Sequence, residues 1–233
     1  MTLIDIASYR DKKNSETNTP VFEKPPLITE LSKTLITSNL EMDDSVFDSL
    51  LPEFYQYASQ IHWTPIEAIN QIAEFISECD ENTKFLDIGS GCGKLCILLS
   101  LITKINIYGI EQRRTLYKCS QKIKLTYKLE NVHFIHGNML DIDWSDFDIY
   151  YLYNPFQEHI SNFGGMRIDH TIEFDKKHYI MYTSEVFRQL CWAKPGKKLI
   201  TFHGYGGSIP SSWKLIQSRT IGYGDLSMWE KIR

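Results

Sequence analysis

The chain has 233 residues, 42% of them hydrophobic, with 12 Phe, 13 Tyr and 5 Trp, enough apolar material for one sizeable core with an appendage. A formal net charge of −4 gives no general attraction to phosphate backbones or anionic lipid, so nucleic-acid binding would need a local basic patch. Five cysteines without paired close spacing argue against a disulfide framework or a zinc knuckle; they fit free thiols in a reducing compartment, and so a cytoplasmic location.

Taken in chain order, residues 1–44 read as an irregular N-terminal extension, with the polar run "DKKNSETNTP" and one short helix in "LITELSKTLI". The start lacks the basic lead of a signal peptide. Residues 45–80 form a helical segment. "SVFDSLLPEFYQYASQI" and "TPIEAINQIAEFISECDE" both space apolar residues for a helix, the second with Thr64 as N-cap, Pro65 in the first turn and Glu67 at the third position. From residue 81 to 233 strands and helices alternate. "TKFLDIG", "INIYGIE", "VHFIHG", "FDIYYLYN" and "KKLITFHG" are short apolar strands, with "CGKLCILLSLITK", "RRTLYKCSQKIKLTYKL" and "KKHYIMYTSEVFRQLCWA" as crossover helices. "WKLIQSRTIG" and "LSMWEKI" make a terminal hairpin. The pattern predicts an α/β fold, a doubly wound and mostly parallel seven-stranded sheet closed by an antiparallel C-terminal pair. The most apolar window, "LCILLSLI", is too short to span a bilayer, so no membrane partner is expected. No metal site is expected either, and the basic face of "RRTLYKCSQKIKLTYK" reads as a solvated outer helix face.

"FLDIGSGCGKL" marks the ligand loop, with Gly89, Gly91 and Gly93 alternating around Ser90. A P-loop is excluded because Leu95 stands where its hydroxyl belongs, and the dinucleotide fingerprint fails by one position. Asp87 ends the first strand and is expected to point into the ligand crevice. A carboxylate there repels a pyrophosphate and favours the ammonium and sulfonium of S-adenosyl-L-methionine. Glu111, 24 residues further on, can accept both ribose hydroxyls, with Gln112 following it. Asn138 and Met139 are expected at the adenine edge and face, with Met139 or Leu140 as an apolar wall.

These stretches, "FLDIGSGCG", "YGIEQ", "HGNMLDIDW" and "YLYNPF", resemble class I S-adenosylmethionine-dependent methyltransferases over about residues 62–233. More narrowly, "HWTP", "SGCGKLC", "GIEQR", "YLYNPF" and "HGYGG" are similar to a group of bacterial methyltransferase-domain proteins. Asn138 stands where the family often has an aspartate against the adenine amino group. The resemblance implies an enzyme with a Rossmann-like methyltransferase fold, in which His62, Trp63 and Thr64 lid the donor. It also implies an acceptor site beyond the fourth strand. Asn154, Pro155 and Phe156 resemble the [DN]-P-P-[YFW] motif of methyltransferases acting on planar nitrogen, with one proline missing. By that resemblance Asn154 accepts hydrogen bonds from the acceptor, Pro155 fixes the loop and Phe156 stacks on the acceptor plane. Strand order in this fold brings "FHGYGG" beside Asn154, so His203 is the candidate base and Tyr205 a border of the pocket; His159 is a second candidate. A protein side-chain nitrogen or a small molecule is the expected acceptor, ahead of a nucleobase. The rival readings are a non-catalytic module that binds the donor or S-adenosylhomocysteine, and an NAD-dependent oxidoreductase.

Overall fold

The computed structural model describes residue 40 and residues 42–161 and 167–233. Most of the 1–44 extension, with its expected short helix, lies outside the described residues. Seven strands, β1 (Lys84–Ile88), β2 (Asn106–Glu111), β3 (Val132–His136), β4 (Ile149–Tyr153), β5 (Lys198–Phe202), β6 (Trp213–Ile221) and β7 (Gly224–Lys231), form one sheet. Their order is β3-β2-β1-β4-β5-β7-β6. The first five strands are parallel, and β7 runs antiparallel between β5 and the edge strand β6. This is the Rossmann-like architecture expected from the sequence.

Seven α-helices accompany the sheet among the described residues: α1 (Asp44–Asp48), α2 (Glu53–Gln56), α3 (Ser59–His62), α4 (Ile66–Phe75), α5 (Lys94–Ile102), α6 (Arg114–Tyr127) and α7 (Lys176–Trp192). Because strand side chains alternate between faces, β1 sends Phe85 into the core shared with α4, α5 and α6, and Leu86 and Ile88 into the core shared with α7. Helix α6 buries only Leu116, Ser120 and Ile123, so its basic face is solvated as expected. At the far end of α7, the buried Lys231 ammonium donates to the carbonyls of Leu190 at 2.9 Å and Cys191 at 3.0 Å, which caps the helix from the hairpin.

Two local expectations are corrected. The single helix expected over residues 45–61 is three short ones, α1 to α3, because Pro52 has no N–H to donate and its ring blocks a helix arriving from the N-terminal side. Thr64 is also not the cap of α4. Pro65 is extended, with φ −68° and ψ 152°, and the first helical N–H, that of Ile66, donates to Asp44 Oδ1 of α1 at 3.0 Å. The Thr64 hydroxyl pairs instead with the Tyr151 hydroxyl at 2.9 Å.

β1 has β2 on one side and β4 on the other. The chain therefore leaves β1 and β4 in opposite directions, which opens a crevice at their carboxyl ends.

Candidate active site

That crevice is a cleft open to solvent, at the carboxyl edge of the sheet where α/β folds of this topology place small-molecule sites. Its floor is the loop after β1. The Gly89 and Ser90 amides both donate to the Ile110 carbonyl at 3.0 Å, folding the loop back onto the end of β2. Gly91 has φ +57°, and a Cβ there would sit 2.5 Å from Trp63 Cζ3. Gly93, at φ +81°, would drive a Cβ to 2.6 Å from the Phe134 ring. Both positions need glycine for conformation and for space. Ser90 is buried and packs over Gly109, outside the cleft.

Glu111 lines the cleft with its carboxylate buried. Oε2 accepts from the Gly91 amide at 2.9 Å and Oε1 from the Arg113 amide at 2.7 Å. Burial raises its pKa, while the Arg113 and Gly91 amides and the Arg113 charge pull the other way. A carboxylate offers about four acceptor positions, so each oxygen keeps one for a diol. Gln112 lines the same wall. Asn138 and Met139 are at the cleft as expected. The Asn138 amide is already engaged: its oxygen accepts from the Leu140 amide at 3.0 Å, and its nitrogen donates to the Tyr182 hydroxyl at 2.7 Å. Leu140 is not part of the wall. It points outward, 38% exposed, because the short turn that begins at Met139 rotates it away.

Asp87 departs from expectation. Ile88 is the β1 residue that faces the cleft, and strand alternation therefore sends Asp87 to the opposite face, under α5. There its Oδ2 accepts from the Cys96 thiol at 3.2 Å. Burial pushes its pKa up to about 7, with the Cys96 hydrogen bond opposing and the Glu111 charge adding. Lys94, which follows the glycines, is 2% exposed. It pairs with Asp44 at 2.7 Å and Asp48 at 3.1 Å, and donates to Ser59 Oγ at 3.3 Å. A residue that would hold a phosphate in a P-loop here fastens α1 and α3 over the loop.

That fastening sets the roof. Ile61, His62 and Trp63 line the cleft, whereas Thr64 does not. The Trp63 indole donates to the Tyr55 carbonyl at 3.1 Å, and the Tyr153 hydroxyl to the Ile61 carbonyl at 3.1 Å. Burial, helped by the Arg113 charge, lowers the His62 pKa to about 4, so the ring is neutral at pH 7.

On the β4 side, Asn154 lines the cleft in the left-handed region, at φ +38°. Its amide donates to the Gly204 carbonyl at 3.0 Å. A non-glycine residue there is strained by about 1–3 kcal/mol, and such strain clusters at functional sites. Pro155 and Phe156 follow along the wall. Phe156 is buried and stacked on Tyr182, with centroids 5.2 Å apart and planes at 14°. One of its faces is therefore taken by the protein rather than left open for an acceptor.

His203 is not brought to the cleft. Its backbone, at φ +58°, donates its N–H to the Asp225 carbonyl at 3.1 Å. The ring lies over Gly224, which lacks the Cβ that would displace it, and stacks on Tyr153 at 5.7 Å. Tyr205 is buried, with its hydroxyl on the Ser208 carbonyl. His159 is buried behind the cleft against Phe174, His178 and Tyr182, and burial lowers its pKa to about 4.

Among the lining residues that were assigned no role from sequence are Arg113, Tyr153, Glu158 and Tyr182, each with a polar or charged side-chain group. Arg113 ends the stretch "GIEQR" and Glu158 stands two residues after Phe156, and charged residues in strand-end turns are the signal that could have drawn them in. Arg113 Nη2 meets Glu158 Oε2 at 2.7 Å, and its Nε meets Asp169 Oδ1 at 3.2 Å.

The family described as "Methyltransferase domain" matches residues 79–203. Among solved structures, the chain is similar to an RNA methyltransferase from Salinibacter ruber in complex with S-adenosyl-L-homocysteine. The TM-score is 0.51 and the identity 18%, over 72% of this chain and 92% of that one. It is similar to the Escherichia coli protein yhhF at TM-score 0.52 and 14% identity, over 71% of this chain and 84% of that one. A variant of MtNAS in complex with S-adenosylmethionine aligns at TM-score 0.51 and 13% identity, over 90% of this chain and 73% of that one. At these identities the likeness is one of fold. No curated protein matches the chain.

Proposed function

The chain belongs to the methyltransferase-domain family, and from that premise we propose that it transfers a methyl group from S-adenosyl-L-methionine to a nitrogen acceptor on a protein or a small molecule. The observation that carries the reading is a single cleft with a glycine floor and the Glu111 carboxylate on one side and the strained Asn154 on the other. Gly91 leaves the floor bare where any Cβ would strike Trp63, and Glu111 keeps acceptor capacity for ribose hydroxyls. Met139 supplies an apolar surface for the adenine, and Gln112 its polar edge, with the second lone pair that the Asn138 oxygen keeps beyond the Leu140 amide. When bound, the donor supplies an electrophilic methyl on a sulfonium, whose departure as a neutral thioether needs no acid.

The protein's own work is alignment and water exclusion. Asn154, with its backbone tied to Gly204, presents its side chain where an acceptor N–H can be held. The neutral His62 and Trp63 roof the cleft without adding a charge against the sulfonium. Residues 45–80 serve as a lid segment and 81–233 as the donor-binding domain. The five unpaired thiols support a cytoplasmic location.

S-adenosylhomocysteine should raise the unfolding midpoint of the purified protein, by the equivalent of about 2.7 kcal/mol at a hundred times its Kd. No stabilisation, or stabilisation by NAD instead, sinks the reading. Asn154→Ala should lower labelled methyl transfer into a cell extract on the order of 100-fold while S-adenosylhomocysteine still stabilises the variant. A pure binding module would show no transfer in either protein.

A further inference from the structure

The acceptor half of the cleft carries a carboxylate with one oxygen that no described residue engages. Glu158 sits in the turn Gln157–His159, directly after Asn154-Pro155-Phe156, and lines the cleft. Both of its hydrogen bonds fall on Oε2, from Arg113 Nη2 at 2.7 Å and from the Ile168 amide at 3.0 Å. Among the described residues nothing engages Oε1, and it is not among the sealed polar atoms without partners. The contrast with Glu111 is direct, since both oxygens of that carboxylate are held by backbone amides.

The Arg113 ion pair and the Ile168 amide account for Oε2 of Glu158, and no described residue accounts for Oε1. Arg113 already has a partner in Asp169, whose side chain is 8% exposed. One buried carboxylate suffices to neutralise one guanidinium, and a second costs desolvation free energy unless it is used. Along the cleft wall the charged residues are Glu111, Glu158 and Arg113, with no lysine among them. With Asp169 sharing the guanidinium, the acceptor half is left net negative. Such a wall attracts a cation and repels a phosphate or carboxylate.

We propose that Glu158 is the acceptor-recognition carboxylate, and that the acceptor is a primary or secondary amine that arrives as its ammonium form. This rests on the methyltransferase reading above. Oε1 receives the ammonium and takes one proton from it, which frees the nitrogen lone pair. That pair forms the new N–C bond as the methyl's bond to sulfur breaks, its electrons staying on sulfur. The product leaves as an N-methylammonium, and Glu158 releases its proton to water at the mouth of the cleft. The groups that set the basicity of Glu158 are burial, which raises it, the Arg113 charge and the Ile168 amide, which lower it, and Asp169, which raises it again. The balance lies above an ordinary glutamate, the direction a proton acceptor needs.

The test starts from the full chain saturated with S-adenosylhomocysteine, titrated with butylammonium, butanol and butyrate by calorimetry. Butylammonium should bind measurably, and butanol and butyrate should bind at least tenfold more weakly. Glu158→Gln should weaken butylammonium at least tenfold while leaving stabilisation by S-adenosylhomocysteine unchanged. Equal binding of the three probes, or tighter binding of butyrate, overturns the proposal in the unmodified protein, whether or not the variant folds. An unchanged butylammonium affinity in a folded variant overturns it as well. Label transferred into cell extract should stay on a cation exchanger at neutral pH, in protein if the amine is a side chain and in the small-molecule fraction if it is free. Label in nucleic acid, or product that passes the cation exchanger, overturns it. Failure of S-adenosylhomocysteine to stabilise the protein would sink the methyltransferase reading itself, a separate outcome.

Discussion

Asp87 shows how one residue changes meaning when its face of the strand is known. Its position before the glycines suggests a charge aimed at the ligand, but alternation along β1 turns it beneath α5, where Cys96 is its partner. The consequence is a pH effect on stability. A carboxyl raised from 3.8 to about 7 on folding contributes stability that is fully present below about pH 3.8 and is lost as the pH rises through about 7. Asp87→Asn removes that dependence, so the variant should gain stability relative to the parent between pH 4 and pH 8, by roughly 2–4 kcal/mol. Chemical denaturation of the two proteins across that range measures it, and parallel curves would refute it. His62 and His159, both lowered to about 4, act with the opposite sign in the same window, but they are common to both proteins and cancel. Glu111 was legible in the sequence because it ends its strand facing the cleft. His203 was misjudged because proximity in strand order says nothing about ring direction, which the space over Gly224 decides.

At the scale of elements, the roof is held to the floor by Lys94. Its ammonium joins Asp44 and Asp48 of α1 to Ser59 of α3, and Asp44 in turn holds the first amide of α4. Lys94→Ala leaves two carboxylates facing each other across an emptied site. Breaking a buried pair costs about 3–5 kcal/mol; the lower end applies here because the Asp44 side chain is 42% exposed. The variant should therefore lose roughly 3 kcal/mol, with hydrogen exchange rising first over residues 44–63. Uniform exchange changes, or none, would mean that the roof is held by its apolar contacts alone. The helix periods were readable in the sequence for α5, α6 and α7. The break at Pro52 and the cap borrowed from Asp44 were not, since the first is masked by an apolar pattern that runs through it and the second crosses 22 residues.

For the molecule as a whole, the C-terminal hairpin is part of the core. β7 pairs with β5 from Lys198↔Glu230 to Phe202↔Leu226. Leu226, Met228 and Ile221 join the core that contains Ile200 and Phe202, while Trp213 and Lys231 hold the end of α7. Removing residues 212–233 should abolish the cooperative thermal transition and the near-UV circular dichroism, and with them stabilisation by S-adenosylhomocysteine. A truncated chain that still melts cooperatively would show the hairpin to be an accessory.

Local periodicity and composition determined the strands, the crossover helices, the antiparallel end and the glycine loop, because each is written in neighbouring residues. Glu111, Asn138, Met139 and Asn154 could be placed at the cleft for the same reason: each ends a strand or opens the turn after it, at the carboxyl edge where this topology opens. Tertiary structure alone decided the rest. Which face of β1 turns to the cleft, and so where Asp87 goes, is decided by how the sheet packs; where Lys94 spends its charge, and that Arg113 holds one oxygen of Glu158, depend on side chains meeting across 35 to 56 residues. Spacing along the chain carries no record of such meetings, because packing in three dimensions determines them.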